Sequence, residues 1–367
     1  MTRWLALLLV FSLLVQHETG AQSGQQPPLG QWRVHLSYVS LVDMAQQGKS
    51  IAAIGRSGGF VFSADTKEYQ YLNPQTGLSQ TGLAFVKWDE AHQQWVLAYS
   101  NGSLDLVKGK KVETFSDFNR FANTGNKTIF SLDVNKGKAY LSTGLGLAVL
   151  DLSSPQKWAL YSIAPTPLSQ PVHAHLRNNQ YHYVATPIGL FRAKTTADLG
   201  QAPNWENVSS PLGLPNGPIT NLSLWKNQMV AQIGQQIWAF NDSTQGQSIL
   251  TDTSWSIVSL NQSEEKLLVT QNKSNSSRVL VFDPSGTISQ TIPAHPLYPA
   301  LQKAVVLDQS IWLADRETGL WQVGSALQNF SPNGSLGEVL GQVVNTQNGL
   351  AFASGQSANG GPRNRNG

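Results

Sequence analysis

The stretch Val172–Val184 reads VHAHLRNNQYHYV. In an extended chain, His173 and His175 fall on one face, because side chains alternate with a period of two. With Asn178-Asn179 as a two-residue turn, His175 would sit opposite His182 on the returning strand. Three imidazoles within reach of one point make a zinc-ligand set. The sequence places no carboxylate beside them to orient the rings. Histidines packed between sheets or bonded to backbone would read the same way. His173, His175 and His182 are therefore a weak metal candidate, and no cofactor is expected.

Other chemistry is thinner. GRSGG (Gly55–Gly59) matches the pattern G-x-S-x-G, but a nucleophile elbow needs a helix after the serine. FVFS follows here, which reads as strand, so Ser57 is expected in a hairpin whose glycines supply positive φ. Asp89-Glu90 and Glu264-Glu265 lie in tight polar turns. Asp43, Asp89, Asp133 and Asp308 end short apolar segments. Three of them, in VKWDE, SLDVN and VVLDQ, recur at similar places, which favours a repeated turn bond over catalysis. GLGLAVLDL leads into a strand and offers no helix N-terminus to phosphate. No Walker loop and no EF-hand loop is present. The chain has no cysteine, which removes disulfides, thiol catalysis and thiolate metal sites. No catalytic residue is assigned. The tryptophans in or beside strands are expected mainly in packing, with one or two free to stack on sugar at a rim.

The elements that must position these residues repeat. The segments SIAAIGRSGGFVFS, QWVLAYSNGSLDLV, KAYLSTGLGLAVLDL, YHYVATPIGLFRA, QMVAQIGQQIWAF, KLLVTQNKSNSSRVLVFD and SIWLADRETGLWQV are each strand, polar turn, strand. A shorter apolar segment precedes each, and a weaker strand such as YQYL, VETF, WALY or WENV follows most. A four-stranded unit recurring every roughly 41–47 residues is the period of propeller blades. One such sheet has two apolar faces, and a ring lets each blade cover its neighbours. The expected fold is all-β: a seven-bladed β-propeller of four-stranded blades. GQWRVHLSY (Gly30–Tyr38) stands alone before the first unit. It is expected to close the last blade as an outer strand near Ser325–Phe330, hiding an open edge.

The chain has 367 residues, 13% of them charged, and a formal charge of +3. Lys and Arg form no stripe, so nucleic acid is not an expected partner. Residues 1–21 read as a signal peptide: Arg3, then an apolar run of roughly a dozen residues, then small residues before a cut after Ala21. No later apolar run approaches the roughly 20 residues of a membrane helix. Residues 22–338 are assigned to the propeller. Residues 339–367 begin with two properly spaced segments, GQVVN and GLAFAS, and end rich in Gly, Asn and Arg. They read as the opening of a second, truncated propeller or as a flexible tail.

WRVHLSY, then NPQTGLSQTG, LAFVKWDEAHQQWVLAYSNGSLDLV and IFSLDVNKGKAYLSTGLGLAVLDL, resembles the N-terminal propeller of the PorZ family. SPNGSLGE followed by NGLAFASG is similar to that family's passage into a second propeller. The resemblance spans Gln31–Gly355. It implies a non-catalytic scaffold of the type IX secretion attachment complex, exported to the outer-membrane surface or periplasm. The implied partners are other attachment-complex proteins, including the sorting-signal peptidase, and an anionic lipopolysaccharide glycan. Two other classes fit a propeller: the periplasmic sensor of a two-component regulator, which needs a membrane helix, and a glycan-active enzyme, which needs channel carboxylates or a metal.

Overall fold

The computed structural model describes residues 36–122, 125–154, 156–163, 170–226, 228–242, 244–333, 340–346 and 349–354. Leu36 onward forms one compact unit. It is a seven-bladed β-propeller. Each blade is a four-stranded antiparallel sheet whose strands are neighbours in sequence order. Blade 1 spans Leu41–Leu72, blade 2 Leu83–Phe115, blade 3 Ile129–Tyr161 and blade 4 Ala174–Asn207. Blade 5 spans Ile219–Thr251, blade 6 Ser256–Ile292 and blade 7 Leu301–Asn329. The strand–turn–strand segments of the sequence are the second and third strands of each blade. The shorter apolar segments are the innermost strands, and YQYL, VETF, WALY and WENV carry the outer ones.

Burial follows from the ring. Second strands are covered on both faces, so they are apolar without alternation: Ile51–Ile54 and Val96–Tyr99 are fully buried. Outer strands are largely open to water, as in Lys111–Phe115, where Phe115 alone is buried. The core is seven clusters, one in each seam between neighbouring blades. Leu97 and Tyr99 meet Ile54 and Leu72 between blades 1 and 2; Leu268 and Val281 meet Val306 and Leu313 between blades 6 and 7.

Each innermost strand except that of blade 4 carries a register irregularity near its start, as between Leu41 and Asp43 or Leu83 and Phe85. The bulge adds local twist and bends the strand at the channel mouth. Leu340–Thr346 and Gly349–Ser354 form a separate antiparallel hairpin with the same irregularity, between Leu340 and Gln342.

Two expectations change. Among the described residues, blade 7 draws its four strands from Leu301–Asn329, and Leu327–Asn329 takes the outermost place. Leu36–Tyr38, the described end of that segment, is not strand. Tyr38 instead packs in the seam of blades 7 and 1, against Phe60 and Leu320, and receives a hydrogen bond from Asn73 Nδ2 at 3.1 Å. Residues 30–35 and the leader lie outside the described residues. The seam that closes the ring is an apolar cluster of blades 7 and 1, bridged by Lys303 to Asp43 at 2.7 Å and Lys49 to Asp308 at 2.6 Å. In GRSGG, positive φ is not the reason for glycine, since none of Gly55, Gly58 and Gly59 adopts it. A Cβ on Gly55 would sit 2.4 Å from the Ser40 carbonyl oxygen, and one on Gly59 2.6 Å from that of Ala53. Close backbone approach demands the glycines there.

Candidate functional site

The innermost strands surround the central channel. A void of about 400 Å³ inside it is bounded by residues of all seven. A second void of about 430 Å³ opens at the mouth beside Gln46, Trp88 and Glu264. Four residues border both: Lys87, Asn261, Gln262 and Lys303. They form a waist.

Strand register explains the waist. Lys87 pairs with Val96, Asp133 with Tyr140 and Asn261 with Leu268, so the three share one level of the ring. Asp43, opposite Ile54, and Lys303, opposite Ala314, lie one pleat nearer the strand starts. Lys303 Nζ donates to Asp43 Oδ1 at 2.7 Å, and Asp43 Oδ2 accepts the Val86 amide at 2.9 Å. This nearly buried aspartate ties blades 7, 1 and 2 together. Asn261 Nδ2 donates to the Ala304 carbonyl at 3.0 Å. The Lys303 ammonium, and then burial, push Lys87 below its ordinary value, against the pull of Asp43 and Asp133.

The histidines divide. His175 Nδ1 lies 2.8 Å from Asp133 Oδ2, and His175 Nε2 lies 3.0 Å from His182 Nδ1. A carboxylate only accepts, so His175 donates from Nδ1 to Asp133, and its Nε2 shares one proton with His182 Nδ1. Tyr140 stacks on His175 at 4.1 Å. Burial, then His175 and Arg177, lower His182 to about 3, so its imidazole is neutral. His173 points elsewhere: its Nδ1 meets the Ile219 carbonyl at 2.9 Å and its ring meets Phe130 edge-on. The expected pairing also shifts. Asn178 Oδ1 accepts the Gln180 and Tyr181 amides, which lengthens the turn, and Arg177 rather than His175 faces His182. Among the described residues, no group of three His, Asp or Glu side chains is arranged to hold a metal ion.

The aspartates are not equivalent. Asp89 makes the expected turn bond, accepting the Ala91 amide at 3.1 Å, and also meets His92 and Gln94. Asp308 sits in a turn at φ 51° and reaches Lys49 on blade 1. Asp133 lies two residues earlier in its strand than Asp89 does, and so reaches His175 of blade 4. Ser57 is half-buried in the hairpin, and the strand Gly59–Ser63, not a helix, follows it. Of the tryptophans, Trp225 and Trp312 are fully buried, while Trp88 borders the mouth, edge-on to Trp95. Sequence reasoning missed Lys87 and Lys303. Their signal is a lysine inside an otherwise apolar innermost strand, in LAFVKWD and LQKAVVL.

Residues 52–206 match the family model described as the TSS9, PorZ, N-terminal beta-propeller domain. The chain carries a PorZ-like propeller. It is similar to the solved structure of PorZ from Porphyromonas gingivalis, described as an essential bacterial surface component of the type-IX secretion system, at TM-score 0.71 and 18% identity. That likeness covers 89% of this chain but 43% of the PorZ chain, less than half its length. Two further solved structures are similar over nearly their whole length. The Cps50 (Swd1) β-propeller domain of Myceliophteria thermophila aligns at TM-score 0.59 and 11% identity, over 80% of this chain and 100% of its own. Virginiamycin B lyase from Staphylococcus aureus aligns at 0.58 and 10%, over 79% and 97%. Identities this low carry the fold and no activity. A search of the curated proteins finds no match. Among the described residues, no helix is long and apolar enough to cross a membrane.

Proposed function

We propose that this PorZ-like propeller is a non-catalytic scaffold and recognition domain of a type IX secretion attachment complex. It would act after export, at the outer-membrane surface or in the periplasm. The observation that carries this reading is the family match over residues 52–206. The channel chemistry is in keeping with it. Asp43 is held by Lys303, Asp133 meets His175 and Asp89 serves its own turn, whereas a glycan hydrolase needs two carboxyl groups flanking a substrate bond. Rigid blades with loops at both ends suit binding to other proteins. The partners we assign are the attachment-complex proteins, including the sorting-signal peptidase, and an anionic lipopolysaccharide glycan. The hairpin Leu340–Ser354 repeats the bulged register of an innermost strand pair, so we read it as the opening of a further blade.

The test is capture of the tagged protein from outer membranes of its host, with deletion of its gene in parallel. The expected result is co-purification of the sorting-signal peptidase and cargo left with uncut sorting signals in the deletion strain. Capture of an inner-membrane kinase instead, with cargo processed normally, would replace the scaffold reading with the sensor one.

A further inference from the structure

We propose that the channel waist is an anion site, in which Lys87, flanked by Lys303 and Asn261, holds one carboxylate or phosphate group of a ligand seated in the channel. The inference stands on the channel alone and not on the secretion assignment.

The charges facing the waist come from five blades. Lys303 of blade 7 is paired with Asp43 of blade 1, the two side chains only 12% and 9% exposed. Asp133 of blade 3 is engaged by His175 of blade 4. That leaves Lys87 of blade 2. Among the described residues no carboxylate lies within ion-pair distance of its ammonium, although it borders both voids. A cation drawn out of bulk water without a counter-ion is costly. The lowering of Lys87 by Lys303 and burial has the same origin. An oxyanion beside Lys87 would relieve both.

Neutral groups complete the site. Ser131 Oγ, Ser259 Oγ and Asn261 Oδ1 are buried and lack a hydrogen-bond partner, and all three residues border the inner void. The hydroxyls would donate to an anion, and the amide oxygen would accept from a ligand hydroxyl. Each void is within the roughly 300–1,000 Å³ range of small-ligand pockets. The ligand class is thus a small hydroxylated oxyanion, either free or as one acidic residue of a glycan.

The test is isothermal titration of the purified chain at low salt with inorganic phosphate, glucuronate and, as the neutral control, glucose. We expect one-to-one binding of at least one of the two anions, none of glucose, and weakening as sodium chloride is raised. Binding of phosphate alone would assign a phosphoryl group, and of glucuronate alone a sugar acid. Lys87→Met should weaken binding at least tenfold while the unliganded Tm holds or rises; Lys87→Arg should retain binding. Absence of binding by both anions overturns the proposal, as does unchanged affinity in Lys87→Met, which would mark an adventitious ion only.

Discussion

At the residue scale, the chain Asp133–His175–His182 carries a pH signature. His182 has an ordinary value of 6.5 and is held at about 3 in the fold. Below 6.5 the unfolded chain takes up a proton that the folded one refuses. The contribution of His182 is therefore fully present above 6.5 and drains away as pH falls toward 3, with a limiting slope of about 1.4 kcal/mol per pH unit. Asp315, raised by burial, works in the opposite sense on acidification. The expected outcome is that Tm falls between pH 6.5 and 4 and that His182→Phe flattens this fall. A Tm–pH profile of the variant parallel to wild type would refute the assignment. The sequence shows that these histidines cluster. It does not show that Asp133, 42 residues upstream of His175, completes the chain, because that bond crosses a seam between blades.

At the element scale, the third strand of blade 2 owes its placement to Asp105. This fully buried carboxylate accepts the Tyr99 hydroxyl at 2.5 Å, the Ser79 amide at 2.8 Å and the Thr114 hydroxyl at 2.7 Å. It thereby joins the strands Gln94–Tyr99, Leu104–Lys108 and Lys111–Phe115 to the loop entering the blade. Burial, then Asp105, raise Tyr99 far above its ordinary value, which keeps its hydroxyl a donor. Asp105→Ala strands four donors, the Ser79 hydroxyl included, and should cost about 3 kcal/mol, read as a lowered midpoint in urea. Gly55→Ala should cost about 1–3 kcal/mol through the clash with Ser40; an unchanged midpoint would mean that the backbone yields there. The strands themselves are legible in the sequence, because two-sided burial demands continuous apolar runs. Asp105 is not: one aspartate in SNGSLDLV looks like any turn-side carboxylate until three partners converge on it.

At the scale of the whole molecule, closure rests on the seam between blades 7 and 1. Trp312 is buried there against Phe62 and Phe330, with ring centroids 5.6 and 4.9 Å away, and Tyr69 donates to the Phe330 carbonyl at 3.1 Å. Trp312→Ala should cost about 3–5 kcal/mol and open the ring to limited proteolysis. Lys49→Ala, which removes an ion pair about half exposed on both sides, should leave Tm unchanged because water and salt already screen it. If Lys49→Ala proved the more damaging of the two, ionic rather than apolar closure would be established.

What the sequence by itself determined is the architecture. Blade number, strand order and the apolar second strands follow from a local repeat, since each blade folds from contiguous residues with its own turns. What only the tertiary structure decided lies between blades. The Lys303–Asp43 pair, the unpaired Lys87, the Asp133–His175 bond, the separation of His173 from the other two histidines and the side-chain closure of the ring all depend on bringing together residues from different repeats. Their geometry is set by bulges and register, and a single-residue shift of register sends a side chain to the other face of its sheet. Periodicity in a sequence reports which face is buried; it carries no record of which neighbour lies across the seam.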